Sequence, residues 1–330
     1  MRREGSFTVR HTEIDLSAQL LASNALEVVP LPGGPFRTEA AGFALGDLDM
    51  LVGRVSPVLL HGVVPIDRVW VVFPITPFLI NGRRAAPPML TVLGEGAVLD
   101  CTNHAEAEWA MVSLHIELAQ RTLELPGRSP RPGLGTEMML ACDPNLWPQS
   151  IQLMQSAVEV AAEDAAVFEV AEARRSLRSS VLEMLQDLLG GLSGGVRPRI
   201  LRAPAERQRL IEAVEDLLCG YPAQAPTTAG LAASLGMSVP RLRRAIRTRY
   251  GMGLQRLLLL RRLIRFDKAL RSAGPNGPTP QQLASTHGFS DFNELEREYR
   301  KVFSMGFQPL DRDGGGSSAG PAAMLPLAAD

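Results

Sequence analysis

The chain has only three cysteines in 330 residues, Cys101, Cys142 and Cys219, and no two of them form a C-x-x-C pair. An odd and scattered set excludes a disulfide frame and offers no zinc-ligand spacing, so buried thiols are expected. Long apolar runs are missing as well. No stretch approaches the roughly 18 consecutive apolar residues of a membrane span. The two arginines of the N-terminal MRREGSFTVRHTEIDL are not followed by the apolar segment of a secretory signal. The expectation is a cytoplasmic protein with no membrane partner. Catalytic signatures are absent too: there is no Gly-rich phosphate loop, no G-x-S-x-G and no H-E-x-x-H, which argues against an enzyme. His11, His61, His104 and His115 include no H-x-H pair with a following Glu, so neither a metal nor a cofactor is expected.

What is present is ordinary in bulk and uneven in detail. Length allows about two domains, and 45% hydrophobic with 21% charged content is that of a globular protein. The net charge of −1 conceals two opposed halves. Between Arg197 and Arg312 lie 20 of the 34 Lys and Arg but only 10 of the 35 Asp and Glu. Within that basic half, Thr227 to Arg271 carries 11 basic residues against Asp267 alone. A concentrated cationic face is what counterion release from DNA requires.

That stretch, TTAGLAASLGMSVPRLRRAIRTRYGMGLQRLLLLRRLIRFDKALR, reads as a helix-turn-helix feeding a long helix. Thr227 can cap a short helix with Leu231, Ala232 and Leu235 inward, and Gly236 permits the turn that ends it. Ser238 starts a second helix, its hydroxyl placed to accept from a first-turn N–H, and Pro240 is tolerated there. Leu242, Ile246 and Tyr250 face inward. Arg241, Arg243, Arg244, Arg247 and Arg249 are expected on the remaining surface, and Gly251 can close the helix in the left-handed conformation. An Arg-rich second helix after a tight turn fits the major groove.

A second copy of the plan follows. Thr279-Pro280 opens the helix QQLASTHG, Gly288 turns the chain, and Asp291 opens another helix with Glu294 placed for a capping box. The first unit carries LA-x(3)-GMS-x(3)-L-x-R at Leu231, Ala232, Gly236, Met237, Ser238, Leu242 and Arg244, with Arg262-Leu263 in the linking helix. In the second, LA-x(3)-GF falls at Leu283, Ala284, Gly288 and Phe289, followed by Arg297, Tyr299, Arg300 and Lys301. Over about the last third of the chain this set resembles the AraC-type transcription regulators, whose DNA-binding domain is two helix-turn-helix units on one long helix. Departures gather in the second unit. Asn293 and Leu295 stand where the family has Ser and an aromatic, Ser304 replaces a Gly, and the following Pro is displaced to Pro309. Asp291, Glu294, Glu296 and Glu298 crowd its helix, so the first unit is expected to supply most of the affinity.

Residues from about Phe7 to Leu125 read as β structure, with short apolar runs such as Val69–Phe73 and Met89–Leu93 between Pro- and Gly-rich turns. In Trp109–Ile116, residues Ala110, Val112, Leu114 and Ile116 alternate with Trp109, Met111, Ser113 and His115. The first set reads as core. The second suits either a ligand-lined barrel interior or a half-exposed sheet face. Through the strand spacing around VWVVFPITPFLINGRRAAPPMLTVLGEGAVLD, this region is similar to the cupin-like N-terminal effector and dimerisation domain of AraC-type regulators. From Trp147 to Leu192, apolar residues recur at three- and four-residue steps, the pattern repeating after the charged AEARR segment, and give two helices that end at Gly190-Gly191 and that the resemblance casts as dimerisation helices.

The expected fold class is therefore α+β: a cupin-like β-rich domain over 1–146, helices over 147–193, a linker over 194–204, an all-α double helix-turn-helix over 205–312 that starts with an amphipathic helix at Glu206–Cys219, and a disordered tail over 313–330. The expected function is a sequence-specific transcription regulator, an activator by the resemblance, with double-stranded DNA, a second copy, an effector and RNA polymerase as partners. Arg241, Arg243, Arg244 and Arg247 in the first unit, and Asn293, Arg297, Arg300 and Lys301 in the second, are the expected DNA contacts. A partner-binding antagonist with a degenerate second unit is the alternative, and a cupin-type enzyme ranks behind both.

Overall fold

The apolar run Val69–Phe73 is continuous because the strand containing it is covered on both faces. Trp70 and Val72 point into one buried cluster, while Val69, Val71 and Phe73 point into another. A computed structural model of the chain describes residues 5–11, 27–31, 36–123, 135–190, 199–200, 227–273 and 277–303. Its strands are β1 (Gly5–His11), β2 (Glu27–Pro30), β3 (Thr38–Ala44), β4 (Leu48–Val55), β5 (Val58–Val63), β6 (Arg68–Pro74), β7 (Phe78–Ile80), β8 (Arg83–Ala85), β9 (Met89–Leu93), β10 (Val98–Asn103), β11 (Ala107–His115), β12 (Glu137–Ala141) and β13 (Arg199–Ile200). They form a large sheet in the order β1-β3-β4-β11-β6-β9-β12-β13 and a small one in the order β2-β5-β10-β7-β8, all pairs antiparallel.

The small sheet faces one side of the large one. Between them lie Leu51, Trp70, Leu93 and Met111 from the large sheet, with Ile80 and Leu99 from the small one. The alternation expected along β11 is present: Ala110, Val112 and Leu114 join the opposite cluster, while Met111 lies between the sheets. Trp70, Phe73 and Met111 are thus core residues, and Ile116 starts a short helix, α1 (Ile116–Thr122), instead of ending the strand.

Two long helices, α2 (Leu146–Glu163) and α3 (Ala171–Gly190), cover the outer face of the large sheet. The chain breaks between them at a 3-10 turn, Ala165–Glu169, and the AEARR segment forms the first turn of α3. Their apolar stripe, Ile151, Met154, Val181, Leu185 and Leu188, is buried with Phe43, Val71, Phe73 and Val112. The stripe packs within its own subunit because the sheet face beneath it is itself apolar and needs covering. Arg178 clamps α3 to the β3–β4 turn through two 2.8 Å bonds to Asp47.

Five further helices make the C-terminal domain: α4 (Thr228–Ser234), α5 (Val239–Tyr250), α6 (Leu254–Ser272), α7 (Pro280–Thr286) and α8 (Phe292–Phe303). Their common core of Leu242, Leu257, Leu260, Phe266 and Leu295 is continuous with Val29, Leu31 and Leu59 on the outer side of the small sheet. Within the expected linker, Arg199 and Ile200 add a short strand beside Met139 and Met138. The expected helix at Glu206–Cys219 and the tail after residue 312 lie outside the described residues. Among the described residues no helix is long and apolar enough to cross a membrane, and no cluster of His, Cys, Asp or Glu could hold a metal ion.

Candidate nucleic-acid interface

The two C-terminal units repeat each other bond by bond. In the first, the Thr227 hydroxyl accepts from Gly230 N at 3.0 Å and caps α4. The chain then turns with Leu235 N, Gly236 N and Met237 N donating to the carbonyls of Leu231, Ala233 and Ala232 at 3.1, 3.1 and 2.9 Å. In the second, Thr279 caps α7 in a full capping box: its hydroxyl accepts from Gln282 N, and Gln282 Oε1 accepts from Thr279 N at 2.8 Å. His287 N, Gly288 N and Phe289 N then donate to Leu283, Ser285 and Ala284 at 2.9, 3.1 and 2.9 Å. The turn glycines sit at φ +62° and +75°, where a side chain would strain the backbone.

The second helix of each unit buries the same spacing of residues. On α5 these are Leu242, Ile246, Arg249 and Tyr250; on α8 they are Leu295, Tyr299, Val302 and Phe303. Ser238 takes the extended backbone of a cap but its hydroxyl makes no capping bond, and Pro240 follows in the first turn, where a missing N–H breaks no intrahelical bond. On α8 the cap is Asp291, whose carboxylate accepts from Asn293 N and Glu294 N at 2.9 and 3.2 Å. Gly251 ends α5 in the left-handed conformation, its N–H donating to Arg247 O.

The linking helix α6, of 19 residues and about 28 Å, ties the units together. Arg262 donates to Gly288 O at 3.0 Å and lies 5.2 Å above the Phe289 ring. The Tyr299 hydroxyl donates to the buried Asp267, and burial together with that carboxylate pushes the phenol well above its ordinary value. Arg256 reaches Glu298 at 2.8 Å.

The solvent faces differ in charge. Arg241, Arg243, Arg244 and Arg247 are all exposed on α5 and lie as i, i+3 and i, i+4 neighbours. Arg243, Arg244 and Arg247 have no ion-pair partner among the described residues. On α8, Asn293, Arg297, Arg300 and Lys301 come together around one open hollow with Glu296. Here Arg300 pairs with Glu296 at 2.8 Å and Lys301 with Glu298 at 2.5 Å. Glu298 is held below the ordinary carboxylate range by the Lys301 bond and, against some burial, by Arg256.

Arg249 does not belong to the exposed face on which its neighbours lie. It is 7% exposed and pairs with Asp100 of β10. The signal that could have placed it was the spacing: it falls seven residues after Leu242, as the buried Val302 falls seven after Leu295.

Residues 231–308 match a protein family described as a helix-turn-helix domain. No curated protein matches the chain. Among solved structures, the chain is similar to the AraC-like transcriptional activator CuxR (16% identity, 85% of this chain and 99% of that one, TM-score 0.42) and to ToxT from Vibrio cholerae with a bound unsaturated fatty acid (9% identity, 93% and 95%, TM-score 0.27). An AraC-type DNA-binding domain protein from Chromobacterium violaceum is 22% identical over 31% of this chain and 88% of that one, with a TM-score of 0.28. The family match and the bond-for-bond repetition of the two units agree: the C-terminal part of this chain is a helix-turn-helix domain.

Proposed function

We propose that the protein is a sequence-specific transcription regulator that reads DNA chiefly through α5. The observation carrying this is the exposed set Arg241, Arg243, Arg244 and Arg247 on the second helix of a capped helix-turn-helix, with no acid among them. Arginine bonds bidentately to guanine O6 and N7 and also meets phosphates, so such a set can both position the helix and read bases. Asn293 and Arg297 extend the contact on the second unit. The cations of Arg300 and Lys301 are partly neutralised by their own helix. Arg297, exposed at the hollow and in neither of those pairs, favours a working second unit over a degenerate one.

The rest of the reading is an activator that dimerises and responds to an effector through its N-terminal domain. Dimerisation would use a surface other than the α2–α3 stripe, which already covers the large sheet. A regulated response requires an effector with different affinities for two states of the protein.

The test is selection of duplexes from a random-sequence pool by the purified chain, followed by titration of the enriched site across a salt series. Arg244→Ala is expected to cost about 1–3 kcal/mol on the enriched site and to relax preference at one base pair. Enrichment of no sequence, or affinity indifferent to Arg244, would sink the reading.

A further inference from the structure

One inward slot holds valine in the second unit and arginine in the first, and the difference points across the molecule. A charge in a buried slot is tolerated only with a partner. For Arg249 that partner is the other domain's Asp100, which is 0% exposed. The second carboxylate oxygen of Asp100 is 2.5 Å from His61 Nδ1 on β5. Burial alone would raise the Asp100 carboxyl, but Arg249 and the His61 hydrogen bond outweigh it and hold the group below its ordinary value.

The surroundings are closely fitted. A Cβ on Gly82, in the β7–β8 turn, would lie 2.6 Å from Thr248 O, and one on Gly251 would collide with His104. Val29, Leu31 and Leu59 complete the seat with the apolar core of the helical domain. The sheet thus grips α5 by its last turn. The N-terminal end of a recognition helix is the part that meets base edges, and here it lies about 18 Å away along the 12-residue helix. The docked helix therefore keeps Arg241, Arg243, Arg244 and Arg247 exposed.

Strand β10 has two audiences. Leu99 and Cys101 pack in the cluster between the sheets, while Asp100 and Thr102 point at α5 and Gly251. Only the thickness of one strand separates the packing between the sheets from α5.

We propose that the Asp100–Arg249 pair is a lock by which the N-terminal domain holds the first helix-turn-helix unit in its DNA-reading pose, with β10 transmitting changes from between the sheets. The proposal rests on the DNA-binding reading above and adds to it the contact through which that binding is controlled.

The experiment compares full-length wild type, Arg249→Val and Arg249→Val/Asp100→Asn. Valine is the residue of the equivalent slot in the second unit, so the helical domain is expected to keep its fold, which circular dichroism verifies. Arg249→Val leaves the Asp100 carboxylate buried without its guanidinium. The radius of gyration from small-angle scattering is expected to rise, and affinity for the pool-selected site to fall by about tenfold or more. Neutralising Asp100 in the double variant is expected to restore both, since removing both charges of a buried pair is far milder than removing one. Unchanged scattering in Arg249→Val would overturn the lock. Expanded scattering with undiminished affinity would overturn the claim that docking is the reading pose. A site lost on Arg244→Ala but kept on Arg249→Val removes this inference alone, whereas a pool that yields no site removes the DNA reading and this inference together.

Discussion

The two helix-turn-helix units share a backbone and differ in what their side chains are set against. Their turns make the same three hydrogen bonds, and their second helices bury the same spacing of residues. Among the described residues the first unit leaves Arg243, Arg244 and Arg247 without an ion pair on its face, and it places a further arginine in its inner stripe against a sheet. The second unit pairs Arg300 and Lys301 with its own acids and keeps an uncharged stripe. Backbone bonds and apolar spacing thus define the unit, while charge placement decides what each copy can touch.

The sharpest way to break the comparison is to exchange the slot. Val302 is fully buried, and Asp100 serves the other unit. Val302→Arg is expected to destabilise the second unit by about 3–5 kcal/mol, because it buries a charge without a counter-charge. Loss of hydrogen-exchange protection in α8 would measure this. Near-wild-type protection would mean the two slots are interchangeable.

A smaller effect sharpens the electrostatic contrast. On the selected duplex, Arg243→Ala is expected to lower the salt slope by about one, as the loss of a phosphate contact does. Arg300→Ala is expected to change affinity by no more than about 0.5 kcal/mol, since its guanidinium is already held by Glu296 on an exposed face. Equal losses at the two sites would show that intrahelical pairing does not withdraw a cation from DNA.

The smallest difference lies in the caps. Thr227→Ala removes one bond and is expected to cost about 1 kcal/mol, whereas Thr279→Ala also releases Gln282 and is expected to cost up to about 2 kcal/mol. Amide exchange in the first turns of α4 and α7 would separate the two.

What the sequence made legible was local. Thr227, Thr279, Gly236, Gly251 and Gly288 act within a few residues of themselves, so their chemistry was readable where it stood. The alternation along β11 was equally plain, because a period of two survives whatever covers the faces. The partner of Arg249 lies on another domain, and charge type alone places an arginine outside; only the repeated spacing argued otherwise. The destination of the α2–α3 stripe was hidden for a similar reason. An apolar stripe specifies that it must be covered, and the sheet that covers it is far away in the chain. Ser238 misled in the other direction: the residue type suits a cap and the backbone takes the cap conformation, but the hydroxyl makes no capping bond.

The contact of Arg262 with Gly288 O and the Phe289 ring makes α6 a ruler as well as a connector. Both ends of the helix are built into the units they join, so neither reading head can be rephased along a duplex without distorting the other. Inserting about five base pairs, half a turn, between the two contacted segments would carry one of them to the far side of the double helix. On the proposed DNA reading, the chain would recognise an interval as well as letters, and its sites in a genome would be marked by constant spacing even where their sequences drift.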